Sequence, residues 1–452
     1  MIFADCALLD DKWADRVRLT FEKGRISGID IGANAQPGDH HVSALLPALS
    51  NLHSHSFQRA MAGMTEYRAA GRESFWTWRD LMYRFANSLT PTQIEAIAAL
   101  VFMEMQEVGY AAVGEFHYLH HQPGGTPYAN IAELSERIFA AAHLTGIGLT
   151  LLPVLYTYGG AGAQPLAAGQ MRFGNTVDEF ERLLSAVRLA ARGLPADCRI
   201  GIAPHSLRAT SPDDLSRVLP LAQGNPVHIH VAEQPQEVAD ILGWLGARPV
   251  EWLLANTPVG PDWCAIHATH MTAAETKGLA RSGAVAGLCP VTEANLGDGP
   301  FNGPGWLSAN GQFGIGSDSN VRISMVGELR MLEYSQRLRD LSRNVMVASA
   351  GSVGRFLYQG AARGGARALG RDAGRIAVGQ IADLVAIDLT HPALCALRPD
   401  QILDGLVFAA PDTVITDVWS AGRHQVQQGR HVHRDRIVAG WRKAVKELTD
   451  AL

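Results

Sequence analysis

The stretch Pro47 to Arg59, PALSNLHSHSFQR, places two histidines one residue apart directly after an apolar run. In an extended strand side chains alternate faces, so His53 and His55 point the same way and can share one metal ion at the ~2.0–2.1 Å of a zinc–nitrogen bond. An H-x-H pair arises easily in a chain with 17 histidines, so the test is whether further donors follow at the ends of later strands. Three do. His230 ends Val227-His228-Ile229-His230, His267 ends Cys264-Ala265-Ile266-His267, and Asp318 follows Gly314-Ile315-Gly316-Ser317. Singly, each has a plain structural reading as a satisfied core histidine or a turn aspartate. Together they are the borderline nitrogen and hard oxygen donors that zinc or iron(II) accepts.

The elements that must carry these donors alternate in type. From about residue 48, apolar strand-like runs alternate with helical segments, which is the pattern of repeated βα units around a parallel sheet. Thr90-Pro91-Thr92-Gln93 supplies an N-cap, a proline at the first helical position and a capping-box glutamine for a helix Ile94 to Val108. Strands are predicted at Tyr110 to Phe116, Leu149 to Leu155, Arg199 to Ala203, Val227 to Val231, Trp263 to His267, Val285 to Leu288 and Phe313 to Gly316. Helices are predicted at Ile131 to Leu144, Val177 to Arg192, after Ser211, at Val238 to Leu254, at Ala273 to Arg281 and in a tail to Leu369. With the strand before His53 this makes about eight strands, the number that closes a (β/α)8 barrel with its active site at the strands' C-terminal ends. The Gly-rich stretch Tyr158 to Asn175 reads as a long surface loop.

Both ends of the chain read as strands instead. Ile2 to Leu8, Val17 to Phe21 and Ile26 to Ile31 precede the barrel, and Arg375 to Val378, Leu384 to Asp388, Val414 to Ser420 and Arg423 to Gln427 follow it. Because chain termini often lie close together, the expected organisation is α/β: residues 1–47 and 371–452 forming one small composite β domain with a terminal helix, and residues 48–370 forming the barrel.

Composition narrows the function class. Of 452 residues, 47% are apolar and 18% charged, which is globular and neither disordered nor fibrous. A net charge of -5 without a basic run argues against nucleic acid. The five cysteines are odd in number and scattered, so they form neither a disulfide framework nor a Cys-based zinc site, which points to a reducing cytoplasm. The first residues carry Asp5, Asp10 and Asp11 where a signal peptide would be basic, and no apolar run reaches ~18 residues, so no membrane partner is expected. The segment before Thr90 and the helix near Trp441 offer surfaces for a homodimer contact.

The HSH after an apolar run, the later His, His and Asp, and the closing GRIAVGQIADLVAIDL resemble the amidohydrolase superfamily end to end. The resemblance implies a metal-dependent barrel flanked by a composite β domain. Members with two metals bridge them through a carboxylated lysine on the fourth strand. The lysines here are Lys12, Lys23, Lys277, Lys443 and Lys446, none of them in that region. One divalent ion per chain is therefore expected, Zn2+ before Fe2+, held by His53, His55, His230 and Asp318. Glu233, three residues after His230, resembles the non-ligating glutamate of the superfamily's deaminase branch, which shuttles a proton to the departing nitrogen. The superfamily uses the sixth-strand histidine either as a ligand or as a partner of the attacking water. Four protein donors and a water already reach zinc's usual coordination limit, which assigns His267 to the second role, beside Asp318 as acceptor of the water's proton.

Segment by segment, LHSHSFQRAM, ESFWTWRDLMY, GEFHYLHH, PHSLRAT, HATHMT and CPVTEANLGDG resemble the formimidoylglutamate deiminases of bacterial histidine degradation. That likeness implies hydrolysis of the formimino C=N group of N-formimino-L-glutamate, with release of ammonia. Such a small dicarboxylate suits bidentate cations, Arg79 and Arg208, assisted by Gln58, Tyr118 and His205. His117, His120, His121 and His270 receive no role. Two competing readings are deamination of a guanine, cytosine or triazine-type ring on the same donors, and a scaffold without catalysis, which would ordinarily have lost ligands.

Overall fold

The structure is a computed structural model and describes residues 1–10, 12–66, 75–347 and 349–449. Asp11 of the N-terminal acidic run, Glu73-Ser74 at the start of ESFWTWRDLMY and the last three residues lie outside the described residues.

The chain opens with four strands, β1 (Ile2–Leu9), β2 (Lys12–Glu22), β3 (Arg25–Asp30) and β4 (His40–Pro47). β2 and β3 pair antiparallel across Lys23-Gly24, whose φ values of 50° and 79° are those of the tight hairpin turn matching strand twist. Nine strand segments then follow in parallel pairing: β5 (Leu49–Ser54), β6 (Tyr110–His117), β7 (Gly148–Leu155), β8 (Arg199–Ile200), β9 (Ala203–Pro204), β10 (Val227–Val231), β11 (Trp263–His267), β12 (Val285–Leu288) and β13 (Gln312–Ile315). β8 and β9 both lie against β7 and are the two halves of one interrupted strand. Bridges Ile202↔Val227 and Ser206↔His230 carry the sheet across to β10, and Ser54↔Asp318 joins its far end back to β5. The ring is thus closed, and helices cover it, as expected for a (β/α)8 barrel. Inside, Leu52, Ala112, Ile266, Val285 and Leu369 pack in a small apolar cluster. Gly314 is required there, because a Cβ on it would lie 2.8 Å from the backbone nitrogen of Gly365.

Four last strands, β14 (Leu384–Ile387), β15 (Ile415–Ser420), β16 (Arg423–Gln427) and β17 (Arg430–His431), join the first four in one sheet of order β17-β16-β15-β14-β4-β1-β2-β3. The seam between chain ends is the antiparallel pair β14–β4. Ile2, Val17, Leu19, Leu45, Leu384 and Trp419 form a second core there. No helix among the described residues is long and apolar enough to cross a membrane.

The capping box at Thr90 is present and opens helix Pro91–Glu107. Other expectations are corrected. Arg375 to Val378 forms no strand, although neighbouring Ile381 bridges to Arg25. The single helix Val238 to Leu254 is two, Pro235–Leu245 and Pro249–Asn256, parted where Gly246 takes φ 73° and Pro249 starts the next turn. Helices Pro290–Leu296 and Gly303–Ser308 were not foreseen. The stretch Tyr158 to Asn175 is a long irregular loop exposed over Gly162 to Pro165, but its end turns inward: Gln170, Arg172, Phe173 and Asn175 are buried, and the Arg172 guanidinium donates to the carbonyls of His121, Ala86 and Leu89.

Candidate metal centre and pocket

His53 is the penultimate residue of β5, His55 follows the strand's last residue, and their rings lie 4.6 Å apart. His230 is the penultimate residue of β10, His267 ends β11, and Asp318 follows β13. All five are buried. Several residues at these strand ends take left-handed backbone without being glycine: Ala232 (φ 52°), His267 (67°), Ala268 (49°) and Asp318 (46°). Such conformations are strained and persist only where surroundings fix them, and they gather at functional sites. Around Asp318 the fixing groups are visible. Its N–H donates to the His53 carbonyl (3.0 Å), its carbonyl accepts from the His55 N–H (2.9 Å), and the buried Asn320 amide donates to the carbonyls of His55 (3.1 Å) and Asp318 (3.0 Å).

Four donor atoms converge. His53 Nε2 lies 3.1 Å from His230 Nε2 and 3.5 Å from Asp318 Oδ1, and His55 Nε2 lies 3.3 Å from the same oxygen. Atoms bound tetrahedrally to one ion at ~2.0–2.1 Å stand about 3.3 Å apart, so this spacing fits a shared cation. The far ring nitrogens support that fit. His55 Nδ1 bonds the Phe116 carbonyl (3.0 Å) and His230 Nδ1 the His205 carbonyl (3.1 Å), which leaves each Nε2 lone pair facing inward. Burial keeps the imidazoles neutral, pushing His53 down to about 3 and His230 well below the ordinary value. Burial alone would raise Asp318, but the adjoining imidazoles of His53, His55 and His267 hold it below the ordinary aspartate range.

His267 stands differently. Its Nδ1 is 3.3 Å from Glu293 Oε1, and its Nε2 faces Glu233 Oε1 at 3.6 Å and Asp318 Oδ2 at 3.8 Å. Burial would depress it, yet Glu233, Glu293 and Asp318 outweigh that and raise it to about 10. Glu233 is held between this imidazole and Arg208, whose Nη2 is 3.3 Å from Glu233 Oε2. Burial raises the Glu233 carboxyl, against the opposing pull of His267 and Arg208.

One cavity opens onto the cluster, and the foreseen residues meet there. Gln58, Arg79, Tyr118, His205, Arg208 and Glu233 line it together with His55, His230, His267 and Asp318, while His53 sits just behind. Gln58 Nε2 donates to the Tyr118 hydroxyl (2.9 Å), and the Arg79 guanidinium lies 5.5 Å from the Tyr83 ring centre. His117, His120, His121 and His270, left without a role, are absent from the lining. Sequence reading missed the aromatic wall: Trp78, Tyr83, Tyr156 and Phe173. The Tyr83 and Tyr156 hydroxyls share the Gln170 amide (3.1 and 3.0 Å), so the buried end of that loop orders the pocket. Glu237, Glu293 and Asn320 were also missed, since each acts on residues that only the fold brings near.

The sequence pattern of the amidohydrolase family matches residues 44–424, and that of the formimidoylglutamate deiminase HutF N-terminal domain matches residues 1–43. The chain is 47% identical over 452 residues to formimidoylglutamate deiminase of Pseudomonas aeruginosa, covering 99% of each. A solved amidohydrolase from Brucella melitensis is 49% identical, with a TM-score of 0.95 over 99% of both chains. An adenosine deaminase from Xanthomonas campestris solved with bound zinc shares the fold at 23% identity, with a TM-score of 0.82 over 99% of this chain and 98% of that one.

Proposed function

The chain belongs to the amidohydrolase family, and we propose that it hydrolyses N-formimino-L-glutamate to N-formyl-L-glutamate and ammonia, a step of histidine degradation. The observation that carries the reading is the pocket itself: two guanidinium groups, Arg79 and Arg208, face the same cavity as the histidine–aspartate cluster. A substrate with two carboxylates needs such cations, whereas a neutral heterocycle does not. The full-length likeness to the Pseudomonas aeruginosa enzyme supports the same substrate.

In this reading His53, His55, His230 and Asp318 hold one divalent ion, Zn2+ before Fe2+. When bound, such a cation lowers the pKa of water to ~7 and so supplies a nucleophile at neutral pH. The chain's own groups do the rest. Arg208 and Arg79 take the carboxylates, and Gln58, Tyr118 and His205 orient the chain of the substrate so that the formimino carbon faces the cluster. Ammonia needs two protons beyond the imino N–H, and water provides both. One passes through Glu233 to the imino nitrogen as oxygen adds to carbon. The second passes through Asp318 as the carbon–nitrogen bond breaks and the formyl C=O forms. His267 donates a hydrogen bond to the oxygen at the tetrahedral stage, which its raised proton affinity suits.

Residues 48–370 as the barrel and residues 1–47 with 371–452 as the flanking unit, a cytoplasmic location and a homodimer belong to the same reading. Ammonia release by the metal-loaded protein, measured on N-formimino-L-glutamate and on aminated purine, pyrimidine and triazine rings, tests it. Turnover of the amidine alone is the expected result, and preferential turnover of a ring would replace the substrate.

A further inference from the structure

Glu237 is a buried carboxylate with no part in the chemistry above. It is 0% exposed, lies outside the cavity lining, and occupies the third position of helix Pro235–Leu245. A glutamate there ordinarily reaches back to the amide of its own helix cap. This one reaches further. Its Oε1 accepts the Ala232 N–H and its Oε2 the Glu233 N–H, each at 3.0 Å, and the same Oε2 stands 3.9 Å from Arg208 Nε.

Those two amides belong to the turn that carries the chain out of β10 and into the pocket. Ala232 adopts φ 52°, a region alanine avoids, so the turn needs outside support. The Ala232 carbonyl receives one bond, from the His270 N–H at 2.9 Å, but the two consecutive amides both point to Glu237. Each of these two consecutive amides has its own Glu237 oxygen, an arrangement that the two acceptor oxygens of one carboxyl group match.

We propose that Glu237 is a positioning residue: it fixes the Ala232–Glu233 turn and thereby aims the Glu233 carboxyl between Arg208 and His267. The proposal rests on the assignment of Glu233 as proton shuttle. An amide at position 237 retains one acceptor and turns an NH2 toward the other backbone amide, so the turn relaxes while the metal donors stay in place.

A double-mutant cycle tests it, with kcat from ammonia release and metal content from elemental analysis for Glu237→Gln, Glu233→Gln and the pair. The expected result is full metal content in all three, at least a ~10-fold lower kcat for Glu237→Gln, the scale of a lost hydrogen bond to a charged group, and a double variant no slower than Glu233→Gln alone. A residue acting through Glu233 has nothing left to position once that carboxyl is gone. Losses that multiply, or a Glu237→Gln enzyme at wild-type kcat, overturn the proposal. A Glu233→Gln enzyme with full kcat overturns instead the shuttle assignment beneath it. Should Glu237→Gln fail to fold, Glu237→Asp keeps the charge but withdraws it by one methylene from both amides, and the same cycle applies.

Discussion

At the mouth of the barrel three imidazoles gather round one carboxylate oxygen: His53 Nε2 is 3.1 Å from His230 Nε2, and Asp318 Oδ1 is 3.5 Å from His53 and 3.3 Å from His55. In the terminal sheet two imidazoles, His40 and His424, meet one carboxylate oxygen of Asp417 at 3.0 and 2.8 Å. The residue types are the same, and so is their ability to come within reach of a single ion. The sheet distances are those of N–H groups donating to an anion, and the cluster is satisfied by its own hydrogen bonds. At the barrel mouth the gaps to Asp318 are too long for that, and His55 and His230 have spent their other ring nitrogens on backbone carbonyls. Burial separates the two further: the His53 side chain is 0% exposed and that of His40 43%. Donor type is therefore a poor guide to a metal site, and the second ring nitrogen is a better one.

The sharpest way to break this comparison is to remove one donor from each cluster. His230→Ala is expected to lose metal and activity together, and elemental analysis beside ammonia release reads both. Activity without metal would make the barrel cluster another hydrogen-bonded group like the sheet's.

Within the mouth itself, Glu233→Gln separates holding from reacting. Metal content should stay full while kcat falls ~10²–10⁴-fold, the usual scale of general acid–base work. If the metal goes instead, Glu233 is a ligand.

His267→Asn comes next, with near-full metal and a kcat lower by at least ~10²-fold. A metal-depleted variant would place His267 among the ligands, and a fully active one would return it to a core histidine satisfied by Glu293.

The smallest effect belongs to the sheet. Asp417→Asn should leave metal stoichiometry and kcat unchanged and cost about 1 kcal/mol of stability at neutral pH. Burial alone would raise Asp417, but the hydrogen bond from His424 and the neighbouring His40 hold it below the ordinary range. A depressed carboxyl contributes stability above its unfolded value of ~3.9 and loses it as pH falls through the folded value. The gap between wild type and variant should thus close in denaturant titrations below about pH 4. A gap that persists there would mean that the carboxylate charge is not what the histidines recognise.

The four candidate donors and His267 were legible in sequence because each follows or ends a short apolar run, and in a closed parallel barrel strand ends share one rim. Glu233 was legible by its distance from His230. Glu237 and Glu293 were not, since their value lies in amides and a ring that a left-handed turn brings to them. Arg172 escaped for a similar reason: its three carbonyl partners come from two other parts of the chain, so a buried guanidinium looked like loop polarity. The β14–β4 seam was readable from strand-like texture at both ends, while the stretch Arg375 to Val378 had the texture of a strand and no strand to pair with.

The bridge Ser54↔Asp318 closes the barrel's ring. It also sets the order in which a newly made chain can become an enzyme. One half of the sheet, β5 to β8, carries His53 and His55, and the other, β10 to β13, leads into Asp318 after presenting His230. Neither half owns more than two of the four donors. A nascent chain that stops short of residue 318, or one cut so that its halves drift apart, keeps well-formed strands and intact histidines but cannot gather a full set. If these four hold the cation, high-affinity loading waits until the two halves of the barrel have met, and cation uptake then times that meeting.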